Sequence, residues 1–146
     1  VLLSADLSIV SETARILLPQ ARLAHPVDHG ESWFLPRRVG LARAMQLTLL
    51  AETVSGAEAE RIGLVNWVVP DGDLDARTEN LVTRLCDVAP VAVAQIKSLL
   101  RQSEHNDLGA QLEAEMQSLA TCAATEDFPE ALRAFVEKRK PAFRGR

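Results

Sequence analysis

The 146-residue sequence predicts an α/β chain that is mostly helical, with short strands confined to residues 1–70 and helices alone over residues 71–146. Two observations carry this. Before Pro70 the apolar residues come in brief β-branched runs stopped by proline or glycine; after the polar turn Asp71-Gly72-Asp73 they recur at helical spacing. A third bears on assembly: so little strand cannot cover so many amphipathic helices, so their apolar stripes must pack on a surface that this stretch of sequence does not supply.

Leu7–Val10 reads as a buried strand and Ala14–Leu18 as a second short strand, ended by Pro19. Pro26, Asp28 and Gly30 make residues 23–30 a loop. Glu31–Leu35 is expected to form one or two helical turns broken near Pro36, whose ring clashes with the preceding turn. Gly40 precedes a helix over Leu41–Glu52, rich in Leu, Ala, Arg and Met. Ser55-Gly-Ala-Glu58 fits a capping box opening a helix to about Ile62; Gly63 ends it, and Leu64–Val69 reads as a strand.

Beyond residue 71, Leu74, Thr78, Leu81, Val82, Leu85 and Ala89 keep helical spacing, as do Val93, Ile96 and Leu100 after Pro90. Leu108, Leu112, Met116, Leu119 and Ala123 form a narrow stripe suited to packing between helices. Asp127 is placed to cap a last helix with Pro129 in its first turn. The sequence shows no internal repeat and no low-complexity tract.

Composition narrows the function classes. With 47% hydrophobic and 25% charged residues the chain has the make-up of a soluble globular protein. Sixteen basic against 20 acidic residues give a net charge of -4, which disfavours nucleic acid and anionic membranes as partners and requires any anionic ligand to be held by a local cluster. Cys86 and Cys122 stand far apart without a C-x-x-C, so neither zinc nor a redox motif is supported, and two lone thiols point to a reducing, cytoplasmic setting. No apolar run approaches the roughly 20 residues of a membrane helix. The chain opens on Val1 rather than Met, which suggests an internal or processed start.

Three tracts follow one another in order: A-R-I-L-L-P-Q-A-R-L, then P-V-D-H-G-E-S-W-F-L-P-R-R-V-G-L-A-R-A-M, then S-G-A-E-A-E-R-I-G-L-V-N-W-V-V-P; the last helix runs into F-V-E-K-R-K-P-A-F-R-G-R. In this series the chain resembles the crotonase superfamily, the enoyl-CoA hydratases and isomerases, over the C-terminal half of such enzymes. The resemblance implies a remnant of the crotonase-like spiral over residues 1–70, then a C-terminal helical oligomerisation domain over residues 71–146. It further implies an acyl-CoA thioester as substrate, no cofactor, no metal, and assembly as a trimer or dimer of trimers. The oxyanion donors and first glutamate of the family would lie before Val1.

Family members that hydrate enoyl-CoA carry a glutamate after the proline of F-G-x-P-E, where this chain has Gln20. An amide neither takes nor gives a proton near neutral pH, so Gln20 orients a water or thioester, or is simply a polar loop residue. Asp28 matches the aspartate of the family's P-D-G-G-G loop and is the candidate proton-transfer group; flanked by Val27 and Trp33, its pKa is expected to rise by desolvation. Capping of the short helix at Glu31 would equally explain it. His29 and Glu31 replace glycines, Gly30 alone remaining to let backbone approach the acyl chain, and a productive Asp28–His29 pair is disfavoured because the two are adjacent.

The other side chains of this type carry less. His25 and His29 lack a third metal ligand, and His105 sits at a helix end. Gly30-Glu31-Ser32 is half a nucleophile elbow, failing at Phe34. By the resemblance, Phe135 and Lys138 reach the CoA of a neighbouring subunit, while Trp33 and Gly30 line the acyl side; a solvated basic helix end would also account for the lysine.

The expected function is therefore that of an enoyl-CoA hydratase/isomerase-like enzyme with proton transfer by Asp28. Isomerisation fits one retained carboxylate better than hydration does. A non-catalytic relative, with Gln20, His29 and Glu31 as marks of lost activity, is the alternative.

Overall fold

The computed structural model describes residues 2–146. The chain divides into two compact units, Val1–Glu79 and Asn80–Arg146, and the division falls inside a helix, Leu74–Cys86.

In the first unit, β1 (Ile9–Ser11) and β2 (Arg15–Ile16) precede α1 (Glu31–Val39) and α2 (Leu41–Leu50), and β3 (Val54–Ser55), α3 (Gly56–Arg61) and β4 (Trp67–Val69) follow. Strands β1 and β4 pair in parallel, with Val10 opposite Val68, while β2 and β3 pair antiparallel, with Ile16 opposite Val54. One apolar core gathers Leu35 from α1, Ala44 and Leu47 from α2, Val54 from β3, Ala59 from α3, and Leu64 and Val65 after it.

Helix α1 continues past Pro36 to Val39, against expectation. An interior proline costs about 3 kcal/mol. Burial of Leu35, worth about 1.5–3 kcal/mol, offsets much of that. Arg38, the penultimate residue of the helix, donates to the carbonyls of Leu3, at 3.1 Å, and Ala5. Arg37 donates to the Trp33 carbonyl at 3.1 Å. Tertiary anchoring thus outweighs the local breaker.

Three further expectations shift. Helix α2 stops at Leu50 because Ala51 turns left-handed, at φ 49°. Ser55 Oγ accepts from the Glu58 N–H at 3.2 Å, but Glu58 turns forward to grip Arg61 at 2.6 Å instead of reaching back, so only half of the capping box forms. Strand β4 is only Trp67–Val69, because the N–H groups of Leu64 and Val65 both turn back to the Ala59 carbonyl, at 2.8 and 3.2 Å, and bury those side chains in a turn.

Gly56 opens α3 where the backbone of β1 presses closest: a Cβ there would lie 2.7 Å from the Ser11 carbonyl oxygen and 3.0 Å from Val68 Cγ2. Gly56→Ala is therefore expected to destabilise the first unit by about 1–3 kcal/mol, read as a lower urea midpoint with an unchanged slope.

The second unit holds the rest of α4 (Leu74–Cys86), then α5 (Pro90–Gln102), α6 (Leu108–Ala123) and α7 (Asp127–Glu137). Asp107 caps α6, its Oδ1 accepting from the Ala110 N–H at 2.8 Å. Within this chain the apolar stripe of α6 faces outward, toward whatever surface these residues do not themselves supply. Leu108, Leu112, Met116 and Leu119 are all more than half exposed, and the half-buried face carries Gln111, Ala114, Ser118 and Cys122. Small residues on that face permit close helix approach, and Gln111 fastens it by donating to the Leu99 carbonyl of α5 at 3.1 Å.

Asp127 does not cap α7 with its side chain. It is buried, and its two carboxylate oxygens accept from the N–H groups of Arg144 and Gly145, at 2.7 and 2.8 Å, clamping the tail back on the helix. Glu130 makes a second clamp, on Arg139 at 2.6 and 3.0 Å and on the Ala142 N–H at 3.0 Å. The Arg139 hydrogen bonds, foremost, hold the Glu130 carboxyl down to about 2. A depressed carboxylate contributes its docking fully above its unfolded value of about 4.5 and loses it as pH falls through the folded value. Tail docking, followed by hydrogen exchange at the Ala142 N–H, should thus persist at pH 5 and fail only toward about pH 2; in Glu130→Gln it should be weak throughout.

Cys86 is exposed and Cys122 half-buried, both as free thiols. Among the described residues, no helix is long and apolar enough to cross a membrane.

Candidate functional site

Within the first unit, β2 delivers the chain through Leu18 and Pro19 into a 3-10 turn, Gln20–Leu23, and a loop returns it to the start of α1. Between these lies a cleft of about 410 Å³. Leu3, Ile16, Leu18, Phe34, Leu35 and Leu64 are among its apolar walls, and Ser4, Gln20, Asp28, His29 and Glu31 supply the polar lining.

The loop reverses through two consecutive left-handed residues, His29 at φ 50° and Gly30 at φ 79°. Glycine is required at the second, where the φ is joined by the Phe34 ring 3.1 Å from any added Cβ. At the first, histidine tolerates the conformation better than most residues and its Nδ1 sits 2.9 Å from Asp28 Oδ1. The pair that adjacency disfavoured is thus formed, because the left-handed turn swings the imidazole back over the carboxylate.

That contact reverses the electrostatic expectation for Asp28. Its side chain is half exposed, and the His29 hydrogen bond, foremost, holds the carboxyl below the ordinary carboxylate range; burial opposes this, while the His29 charge and the Gln20 amide act in the same direction. Nor does Asp28 cap α1 with its side chain. Gly30 is the N-cap, and Asp28 serves the helix only through its carbonyl, which accepts from the Glu31 N–H at 2.9 Å.

Glu31 is the residue that sequence reasoning missed. Only 7% exposed, it accepts from Gln20 Nε2 through Oε2 at 2.6 Å. Burial, and then the nearby Asp28 charge, push its carboxyl above the ordinary glutamate range, with the Gln20 amide opposing. Its spacing of four from Leu35 on α1 held the signal, since both then share the inward face.

The other candidates lie elsewhere. Trp33 does not line the cleft; it is half exposed, with the Arg37 guanidinium 3.4 Å from its ring centroid. Phe135, 85% exposed on α7, and Lys138, the left-handed residue closing that helix, belong to the second unit.

Residues 1–146 match the enoyl-CoA hydratase/isomerase family model. The chain belongs to that family. It is 35% identical over 138 residues to the short-chain-enoyl-CoA hydratase of Clostridium acetobutylicum, covering 94% of this chain and 53% of that relative. It is 31% identical over 144 residues to the 1,2-epoxyphenylacetyl-CoA isomerase of Escherichia coli, covering 99% of this chain and 55% of that one. The crystal structure of an enoyl-CoA hydratase from Bacillus anthracis superposes with a TM-score of 0.94 at 32% identity, over 99% of this chain and 56% of that chain. This member of the family thus spans about half the length of the relatives it matches, and its mostly helical, short-stranded fold is the crotonase-like one expected from its motifs.

Proposed function

We propose that the protein carrying this chain acts on acyl-CoA thioesters, with Asp28 as the proton-transfer group and Gln20 orienting the reacting water or thioester. The observation that carries this reading is the pairing of an apolar cleft with a carboxylate kept ionised at its edge by His29. The lowered carboxyl stays ionised at neutral pH and can take a proton next to a polarised carbonyl. It is a weaker base than one tuned near the working pH, so the groups that hold the enolate carry the larger share. Backbone donors from the rest of the protein would hold the resulting enolate oxygen. Migration of a double bond needs one group that takes a proton and returns it, which Asp28 supplies alone, so isomerisation is favoured over hydration.

The ordered tracts and the F-V-E-K-R-K-P-A-F run support reading the chain as the C-terminal half of such an enzyme. A glycine-rich oxyanion segment found downstream of Arg146 rather than upstream of Val1 would overturn that. Phe135 and Lys138 would hold CoA across a subunit boundary in a trimer or dimer of trimers; the outward apolar face of α6 supports assembly. Lys138→Ala is expected to raise KM for the CoA ester about 5- to 30-fold, with kcat little changed, as for loss of one charge-assisted hydrogen bond.

The deciding experiment is a turnover assay of the full-length protein on α,β- and β,γ-unsaturated acyl-CoA esters of several chain lengths. Double-bond migration faster than hydration is the expected result. No turnover on any ester would leave the non-catalytic reading in its place.

A further inference from the structure

The basic run Lys138-Arg139-Lys140 is divided in the fold. Arg139 lays its guanidinium on the Glu130 carboxylate, at 2.6 and 3.0 Å, and Lys140 reaches Asp87, just past the end of α4, at 2.7 Å. Lys138 is exposed and takes no ion pair among the described residues. Its backbone is also unusual: φ 53° and ψ 39° put it in the left-handed region at the residue closing α7, where glycine is the common choice. The Lys138 and Arg139 N–H groups donate back to the Phe135 and Ala134 carbonyls, at 3.3 and 3.0 Å, which completes the turn. A long cationic side chain in a conformation suited to glycine persists only because its surroundings hold it, and such positions gather at functional sites.

What holds this one is the chain that follows it. The Glu130 side chain, only 15% exposed, takes the Arg139 guanidinium with both oxygens and the Ala142 N–H, at 3.0 Å, with one of them. Its carboxylate thus grips the chain on both sides of Lys140 and Pro141. A guanidinium paired with both oxygens of a carboxylate fixes direction as well as distance.

We propose that Glu130 and Arg139 are positioning residues, whose ion pair keeps Lys138 in its left-handed turn and so aims its ammonium at a phosphate group of the CoA ester. The proposal rests on the reading of Lys138 as a CoA contact and adds to it the two residues through which that lysine is set.

The test is calorimetric binding of butyryl-CoA to the full-length protein and its variants. Each is titrated well below its own melting temperature, so lost stability alone leaves the affinity unmoved. Lys138→Ala should weaken binding about 5- to 30-fold, as for loss of one charge-assisted hydrogen bond. Glu130→Gln keeps the lysine but not the carboxylate charge, and should weaken binding at least about threefold and no more than Lys138→Ala does. The double variant Glu130→Gln/Lys138→Ala should bind within about twofold of Lys138→Ala alone, because the pair acts only through that lysine. Should Glu130→Gln fail to fold, Arg139→Gln, at a side chain 41% exposed, decides by the same comparison.

Wild-type affinity in Glu130→Gln or Arg139→Gln, while Lys138→Ala binds weakly, overturns the proposal and leaves the ion pair as a fastening of the tail alone. Losses that multiply in the double variant also overturn it, since the pair would then act by some route other than Lys138. Wild-type affinity in Lys138→Ala counts against the CoA-contact reading itself, a separate outcome.

Discussion

Asp28→Asn in the full-length protein should lower turnover of acyl-CoA esters about a hundred- to ten-thousand-fold, the usual contribution of a positioned acid–base group. The substitution keeps the shape of the side chain and a hydrogen-bonding partner for His29, at a half-exposed position, so melting temperature should stay nearly constant. Acyl-CoA affinity should change little, which separates loss of chemistry from loss of binding. The pH dependence follows from the direction of the Asp28 shift. A base works when deprotonated, and the His29 contact holds this carboxyl below its ordinary value of 3.8. Activity should therefore not fall on acidification until below that value for any reason owed to Asp28. His29→Asn would remove the contact and move that limb upward. Unaltered turnover in Asp28→Asn would remove Asp28 from the mechanism.

The largest stability effect is expected from Leu35→Ala, about 2–5 kcal/mol by urea unfolding. Leu35 is one of the two largest fully buried side chains and packs α1 into the core of the first unit. It also anchors the helix that tolerates Pro36, so its loss removes the compensation for that proline as well as the methyl groups themselves. Leu41→Ala, at an exposed position on the neighbouring helix, serves as the control and should change stability by less than about 0.5 kcal/mol. Equal effects from the two substitutions would contradict the core described here.

The order of elements was legible in the sequence because proline, glycine and apolar period mark it directly: β1, β2, α1, α2 and α3 fall close to where those signals put them. The departures share one cause, contacts distant in sequence. Pro36 breaks a helix only when nothing holds the following turn, and here Leu35 and Arg38 hold it. Leu64 and Val65 have strand propensity, yet they are buried by a turn onto Ala59. On α6 the apolar period marks the helix, and its stripe faces out of this chain; the inward face toward α5 gave no signal, because the small residues that allow close packing carry little hydrophobicity.

In the candidate site, Gln20 and Asp28 were identifiable from their motif neighbours, whereas the environment of Asp28 depends on a left-handed His29 that no propensity demands. Glu31 was read as a blemish in a glycine loop. Its burial became visible only once the loop was seen to place it beneath Gln20.

The enclosed Glu31 carboxyl also gives this protein a reporter of its own. A protonated acid in a dry surrounding has a carbonyl stretching vibration set apart from amide and carboxylate absorptions, and a wild-type minus Glu31→Gln infrared difference would isolate that single oscillator. Its band should persist to a higher pH than those of exposed acids, because the folded chain shelters the proton. Titrating it before and after adding a ligand would then follow occupancy of the cleft one bond at a time.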